Sequence, residues 1–139
     1  MRVRGTVAYD GSSFHGFAIN QDVRTVAGDL TANFSRVLGQ EITLTCAGRT
    51  DRGVHAVGQV ISFDAPDDAN LKKLRHSLNR LCQPSIALTE LVEAPKDFDA
   101  RFSANGRCYR YRILNRPDPD PFLANTAWHV STPLRIDLM

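Results

Sequence analysis

The sequence predicts an α+β fold in which one antiparallel sheet carries two helices on a single face. Three observations lead there. Apolar residues alternate at a period of two in several short runs. Two longer runs instead repeat at helical spacing. The elements follow the order strand, helix, strand, strand, helix, strand, which is the split βαβ or ferredoxin-like arrangement.

The first strand is read from Val3, Gly5, Val7 and Tyr9, which alternate with Arg2, Arg4 and Thr6. Tyr9 to Ser13, YDGSS, follows as a turn. From Asp22 the period lengthens: Val23, Val26, Ala27, Leu30, Phe34, Val37 and Leu38 predict a helix closed by Gly39. Ile42, Leu44 and Cys46 predict a short second strand. Val57, Gln59, Ile61 and Phe63 predict a third.

Asp67 or Asp68 is expected to cap a second helix, with Leu71, Leu74, Leu78 and Leu81 on one face and Pro84 ending it. Ile86, Leu88 and the Leu91–Val92 pair then predict a fourth strand, which completes a unit over residues 1–95. Residues 96–139 are expected to begin a second half. It opens with a strand from Tyr109 to Leu114, in which Tyr109, Tyr111 and Ile113 share a face. A loop with three prolines in eight residues, Asn115 to Phe122, follows it. Trp128 and Val130 suggest another short strand. Ser131 to Asp137 reads as the start of a helix, so the second half is expected to be truncated.

The chain has 139 residues, 42% of them hydrophobic. That suits a packed core and excludes global disorder. Cys46, Cys82 and Cys108 are odd in number, widely spaced and without a C-x-x-C pair. A disulfide framework or structural zinc site is not expected, and a reducing cytoplasm is the simplest compartment. No apolar run is long enough for a signal peptide or membrane helix. His15, His55, His76 and His129 lack ligand spacing, so no metal site is expected, and the sequence has no phosphate-binding glycine motif.

The net charge of +2 is less telling than its distribution. Arg101 to Arg116 holds five arginines and no acid, interleaved with Phe102, Tyr109 and Tyr111. Arginines neutralise phosphates and aromatic faces stack on unpaired bases, a pattern that suits a polyanion such as RNA. For Tyr111 and Phe102, a strand with one buried aromatic face and one solvated arginine face is the simpler explanation.

The loop AGRTDRGVHA, Ala47 to Ala56, sets Asp51 between Arg49 and Arg52 and places Gly48 and Gly53 around them. Flanking positive charge favours the ionised carboxylate, which can act as nucleophile or general base. The arginines can also grip phosphate oxygens in pairs of hydrogen bonds. On residue types alone, a surface turn with an ion pair worth ~0–1 kcal/mol is the commoner explanation.

Three segments together resemble the tRNA pseudouridine synthase A (TruA-type) family. YDGSSFHGF resembles the family's opening motif, although Phe17-Ala18 stands where Trp-Gln is usual. AGRTDRGVHA matches its signature loop, and FDARFSANGRCYRYRI matches its third motif. The resemblance implies the N-terminal half of the pseudouridine synthase fold. It also implies a cofactor-free enzyme that isomerises uridine in the anticodon stem and loop of tRNA.

On that resemblance the essential aspartate falls on Asp51, attacking the flipped nucleotide at either the base or the ribose. Arg49 would pair with Asp51 or fill the gap the base leaves. Tyr109 would stack on the uracil. Arg52, His55 and Arg107 are expected to complete the substrate-binding set. Family chains are about twice as long, so the 139 residues alone are expected to be inactive. An open sheet edge is expected to promote a homodimer. A non-catalytic RNA-binding module of RRM type is the alternative, but AVGQVISF lacks that domain's glycine and exposed-aromatic pattern.

Overall fold

The computed structural model describes all residues, 1–139. They divide into two compact units, Met1–Asn105 and Gly106–Met139. The first contains β1 (Arg2–Tyr9), α1 (Val26–Leu38), β2 (Thr45–Cys46), β3 (Ala56–Asp64), α2 (Leu71–Cys82) and β4 (Ile86–Glu93). Its four strands form an antiparallel sheet in the order β2-β3-β1-β4. No helix is long and apolar enough to cross a membrane.

The alternation in β1 becomes a clean division of faces. Val3, Val7 and Tyr9 are buried in one core cluster with Leu30 and Phe34 of α1 and Leu74 and Leu78 of α2. At its centre the Phe34 and Phe63 rings lie 4.4 Å apart. Burying each of these side chains stabilises the fold by roughly 2–3 kcal/mol.

Two irregularities in register place residues where plain alternation does not. Thr6 pairs with Glu90 and Val7 with Leu88, so Thr89 is an extra residue in β4. The bulge shifts the phase by one, and Ile86, Leu88 and Leu91 all reach the core. In β3, Val7 pairs with Gln59 but Tyr9 with Ala56. The phase flips there, and Val57, expected on the buried face, is 91% exposed.

The helix boundaries also move. Asp22 adopts a left-handed conformation (φ 61°) and Val23 lies before the helix. Thr25 is the cap, its hydroxyl accepting the Gly28 N–H at 3.2 Å. Gly39 closes α1 in the left-handed conformation, as its sequence position suggests. For α2 the cap is Asn70, not Asp67 or Asp68; its side chain accepts the Lys73 N–H at 3.0 Å. Asp67 instead faces the Met1 α-amino group. Cys82, rather than Leu81, completes the buried stripe of α2, and Leu81 is exposed.

The sheet face away from the helices is crossed by the segment after β4. Arg2 Nε donates to the Phe98 carbonyl at 2.7 Å, and Ala100 N–H donates to Ser62 Oγ at 3.0 Å. Ser62 is therefore fully buried although it points away from the helices. Asp99, within the third family-like motif, lies 3.7 Å from the Arg2 guanidinium.

The edge of β4 is not fully open. Asn79 of α2 donates to the Leu88 carbonyl at 3.0 Å and accepts the Leu88 N–H at 2.7 Å. Arg75 donates to the Thr89 carbonyl at 2.7 Å. These side chains occupy backbone groups that another strand would otherwise use. Asn79→Ala strands two backbone groups at once. It is expected to lower stability by about 1–3 kcal/mol in urea unfolding, and an unchanged midpoint would contradict the role given to Asn79.

The second unit contains β5 (Ile113–Asn115) and β6 (Trp128–Val130), paired in parallel. The strand expected from Tyr109 thus begins only at Ile113. Tyr109 and Tyr111 are 74% and 89% exposed, so no buried aromatic face forms there. Asn115 holds the unit together: its side chain donates to the Val130 and Thr132 carbonyls and accepts the Leu134 N–H.

Candidate active site

The loop that carries Asp51 joins β2 to β3, and a second loop, Asp10 to Phe17 after β1, is laid against it. Backbone bonds fix the pair. Phe17 N–H donates to the Thr50 carbonyl at 2.9 Å, and Gly53 N–H donates to the Phe14 carbonyl at 3.3 Å. Within the Asp51 loop, Val54 N–H donates to the Asp51 carbonyl at 3.2 Å and closes a turn. Gly53 takes the left-handed conformation (φ 79°) that this turn uses.

The first loop also terminates α1. Val26 and Ala27 N–H groups donate to the Gly16 and Phe17 carbonyls at 3.2 and 2.8 Å. Those N–H groups have no partner within the helix, so the loop supplies what the helix end lacks. A rigid helix, a sheet and two loops are thereby tied at one point.

Space between the loops is too small for side chains at two glycines. A Cβ on Gly11 would lie 2.1 Å from the Val54 carbonyl oxygen. At Gly16 (φ 92°) it would lie 2.8 Å from the Thr50 oxygen. Glycine there permits backbone-to-backbone approach.

Side chains brace the clamp from beneath. Tyr9 Oη lies 2.8 Å from Thr50 Oγ1, and the Phe17 ring centroid is 6.0 Å from that of Tyr9. Burial pushes the Tyr9 hydroxyl up from its ordinary pKa, partly opposed by its hydrogen bonds to Thr50 and Gln59. Gln59 holds the loop's start, accepting the Gly48 N–H at 3.3 Å and donating to the Gly48 carbonyl.

His55 spans the two loops. Its Nδ1 accepts the Gly11 N–H at 3.1 Å and lies 3.1 Å from Asp10 Oδ1. Hydrogen bonds from the Ser12 hydroxyl and N–H hold the Asp10 carboxyl below its ordinary range, with smaller help from His55. Burial raises the thiol pKa of Cys46, beneath the loop, and the nearby Arg49 charge opposes this.

Against this scaffold the functional side chains of the loop project outward. Arg49, Asp51 and Arg52 are all exposed, and His55 is partly buried. No salt bridge joins Asp51 to Arg49 or Arg52, so the surface ion pair considered above is not formed. The structure brings Arg49, Asp51, Arg52 and His55 together on one loop. Arg107 and Tyr109 belong to the second unit, where both are exposed.

Phe14 is 1% exposed, under the Arg24 guanidinium at 4.5 Å, while His15 is exposed and its N–H donates to the Arg24 carbonyl. The bracing roles of Tyr9, Thr50 and Gln59 were not anticipated. The only signal for them was that the first and second motifs flank strands that turn out to be neighbours. No group of three or more His, Cys, Asp or Glu side chains comes together.

The fold and site define an α+β domain that presents a single carboxylate among arginines on a braced loop. The family profile of tRNA pseudouridine synthases matches residues 6–103. The chain is 43% identical over 139 residues to a tRNA pseudouridine synthase A of Methylobacterium radiotolerans, covering 99% of this chain and 55% of that protein. It is 42% identical over 138 residues to the protein of that name from Brevibacillus brevis, covering 99% and 57%. A third, from Moorella thermoacetica, is 41% identical over 136 residues, covering 96% and 55%. The chain belongs to the tRNA pseudouridine synthase family, on the TruA side of it, and spans about half the length of these curated relatives.

Proposed function

We propose that this chain carries the nucleophile and part of the RNA-binding surface of an enzyme that isomerises uridine to pseudouridine in the anticodon stem and loop of tRNA. The supporting observation is Asp51 itself. It is exposed and unpaired, on a loop whose backbone is fixed at Thr50, Gly53 and Val54. A fixed backbone lets a carboxylate meet an extruded nucleotide without reordering itself.

In this reading the target nucleotide leaves the stack, at a cost of a few kcal/mol. Arg49 fills the space it vacates. Asp51 adds to the nucleotide, the N1–C1′ bond breaks, and the uracil turns while held by stacking on Tyr109. A C5–C1′ bond forms, the bond to Asp51 breaks and restores its carboxylate, the C5 proton is released, and N1 takes up a proton. Atoms and electrons balance, so the isomerisation consumes no co-reactant. Arg52, His55 and Arg107 contact the phosphates and ribose around it, and the positive charges offset RNA repulsion of the carboxylate.

The residues 1–95 form the ferredoxin-like half of the catalytic fold and 96–139 begin the other half. The 139 residues alone lack activity, because the cleft needs a second wall. The enzyme works in the cytoplasm as a homodimer. A monomeric mass by light scattering at working concentration would count against the dimer.

The test is tritium release from tRNA labelled at uracil C5. The 139-residue chain is expected to release none. The same chain joined to the remaining half of the Methylobacterium radiotolerans relative is expected to release it. Failure of the joined protein beside an active relative would sink the reading, and release by the chain alone would sink the claim that it is incomplete.

A further inference from the structure

The outward face of α2 carries a charge pattern that the site above does not use. Lys72, Lys73, His76 and Arg80 are all exposed, and α2 contains no acidic residue. At helical spacing these four positions fall within an arc of ~100° and extend along ~12 Å of the helix. Leu71, Leu74, Leu78 and Cys82 occupy the opposite side, three of them buried and Leu71 partly buried. The stripe therefore points directly away from the core.

Three other cations of the first unit are neutralised by ion pairs, and those of the stripe are not. Arg2, Arg4 and Arg24 each form salt bridges with carboxylates. Lys72, Lys73 and Arg80 form none. Arg75, just outside the stripe, is occupied by the Thr89 carbonyl. Three uncompensated cations along one face of a rigid helix raise the local positive potential.

The stripe also has a definite place relative to Asp51. The C-terminal end of α2, with Arg80, leads into β4, whose first residue Ile86 pairs with Tyr9. Tyr9 pairs with Ala56 at the end of the Asp51 loop, and Asp10 N–H donates to the Ser85 carbonyl. Arg80 thus stands at the same end of the sheet as the candidate nucleophile, and Lys72 and Lys73 lead away from it.

We infer that the stripe Lys72, Lys73, His76 and Arg80 docks the phosphate backbone of the tRNA, outside the site that receives the uridine. The inference rests on the tRNA substrate proposed above. A regular row of point charges suits a regular row of phosphates and is indifferent to base sequence. The contact would orient the stem while the loop around Asp51 handles the extruded nucleotide.

The test measures binding of fluorescently labelled tRNA to the 139-residue chain as a function of salt. Lys72→Gln, Lys73→Gln and Arg80→Gln together are expected to lower the slope of log affinity against log salt by about 2–3. Affinity at 0.1 M salt should fall by roughly a hundredfold. Glutamine is a good helix former, so α2 is retained, and a thermal melt checks this. Arg4→Gln, Lys96→Gln and Arg135→Gln change net charge equally and are expected to keep most of the slope. Lys72→Arg with Lys73→Arg should keep it fully.

Equal slopes for the stripe variant and the charge-matched control would overturn the inference. So would an absence of tRNA binding by the unsubstituted chain at low salt. The uridine reading fails separately: it falls if the joined protein releases no tritium while the stripe's effect on the slope persists.

Discussion

Asp51→Ala, in the chain joined to a relative's second half, is expected to abolish tritium release from C5-labelled tRNA. The loss should be on the order of 10⁴-fold or more, the scale seen when a sole nucleophile is removed. The binding affinity for tRNA should change by less than about threefold. Asp51 is exposed and takes part in no salt bridge, so its removal costs the fold little. Asp51→Asn separates charge from shape. It keeps the volume and much of the hydrogen bonding, and is expected to be as inactive as alanine because an amide is a poor nucleophile. If asparagine retains more than a few per cent of the rate, Asp51 acts by positioning and the covalent step fails. If tRNA binding falls in parallel with the rate, Asp51 is a recognition residue. Arg49→Ala serves as the contrast: an uncharged neighbour should weaken both binding and rate, since it meets the RNA and supports the extruded state.

What the sequence made legible was periodicity and chemistry within short segments. The β1 alternation, the α1 apolar stripe and the Gly39 cap all follow from neighbours in the chain. So does the crowding of Arg49, Asp51 and Arg52 on one loop. Residues whose environment is set by distant parts of the chain were read less well. Val57 looked buried until a shift in pairing with β1 turned it outward. Leu91 and Val92 could not be told apart until the bulge at Thr89 fixed which one faces the core. Asp67 looked like a cap, but the Met1 amino group claims it and Asn70 takes its place. Ser62 is buried by a segment nearly forty residues later, through a bond to Ala100. The same limit applies at the site. Asp51 and its arginines were visible, whereas Tyr9, Gly11, Gly16 and Gln59 matter because β1 and β3 are neighbours in the sheet.

Gly11→Ala is the substitution expected to cost the fold most for the smallest change in side chain. An added Cβ would stand 2.1 Å from the Val54 carbonyl oxygen and 2.5 Å from its carbon. Both are backbone atoms, so no rotamer change relieves the clash and the loops must part. Parting lengthens or breaks the Gly11 N–H bond to His55 Nδ1 and the Gly53 N–H bond to the Phe14 carbonyl. The cost should be about 3 kcal/mol or more, the upper range for overpacking, with a fall in Tm of roughly 10 °C or more. Gly58→Ala is the control, because a Cβ there meets nothing within 4 Å, and its melting temperature should move little. The loss should also be local. Hydrogen exchange at the Val54 N–H, which closes the turn on the Asp51 carbonyl, should accelerate before that of the Leu30 and Phe34 amides in α1. A Gly11→Ala protein that melts within about 2 °C of the unsubstituted chain would mean the two loops separate easily. The braced geometry would then have no part in aiming Asp51, and the carboxylate would have to be placed by the RNA itself.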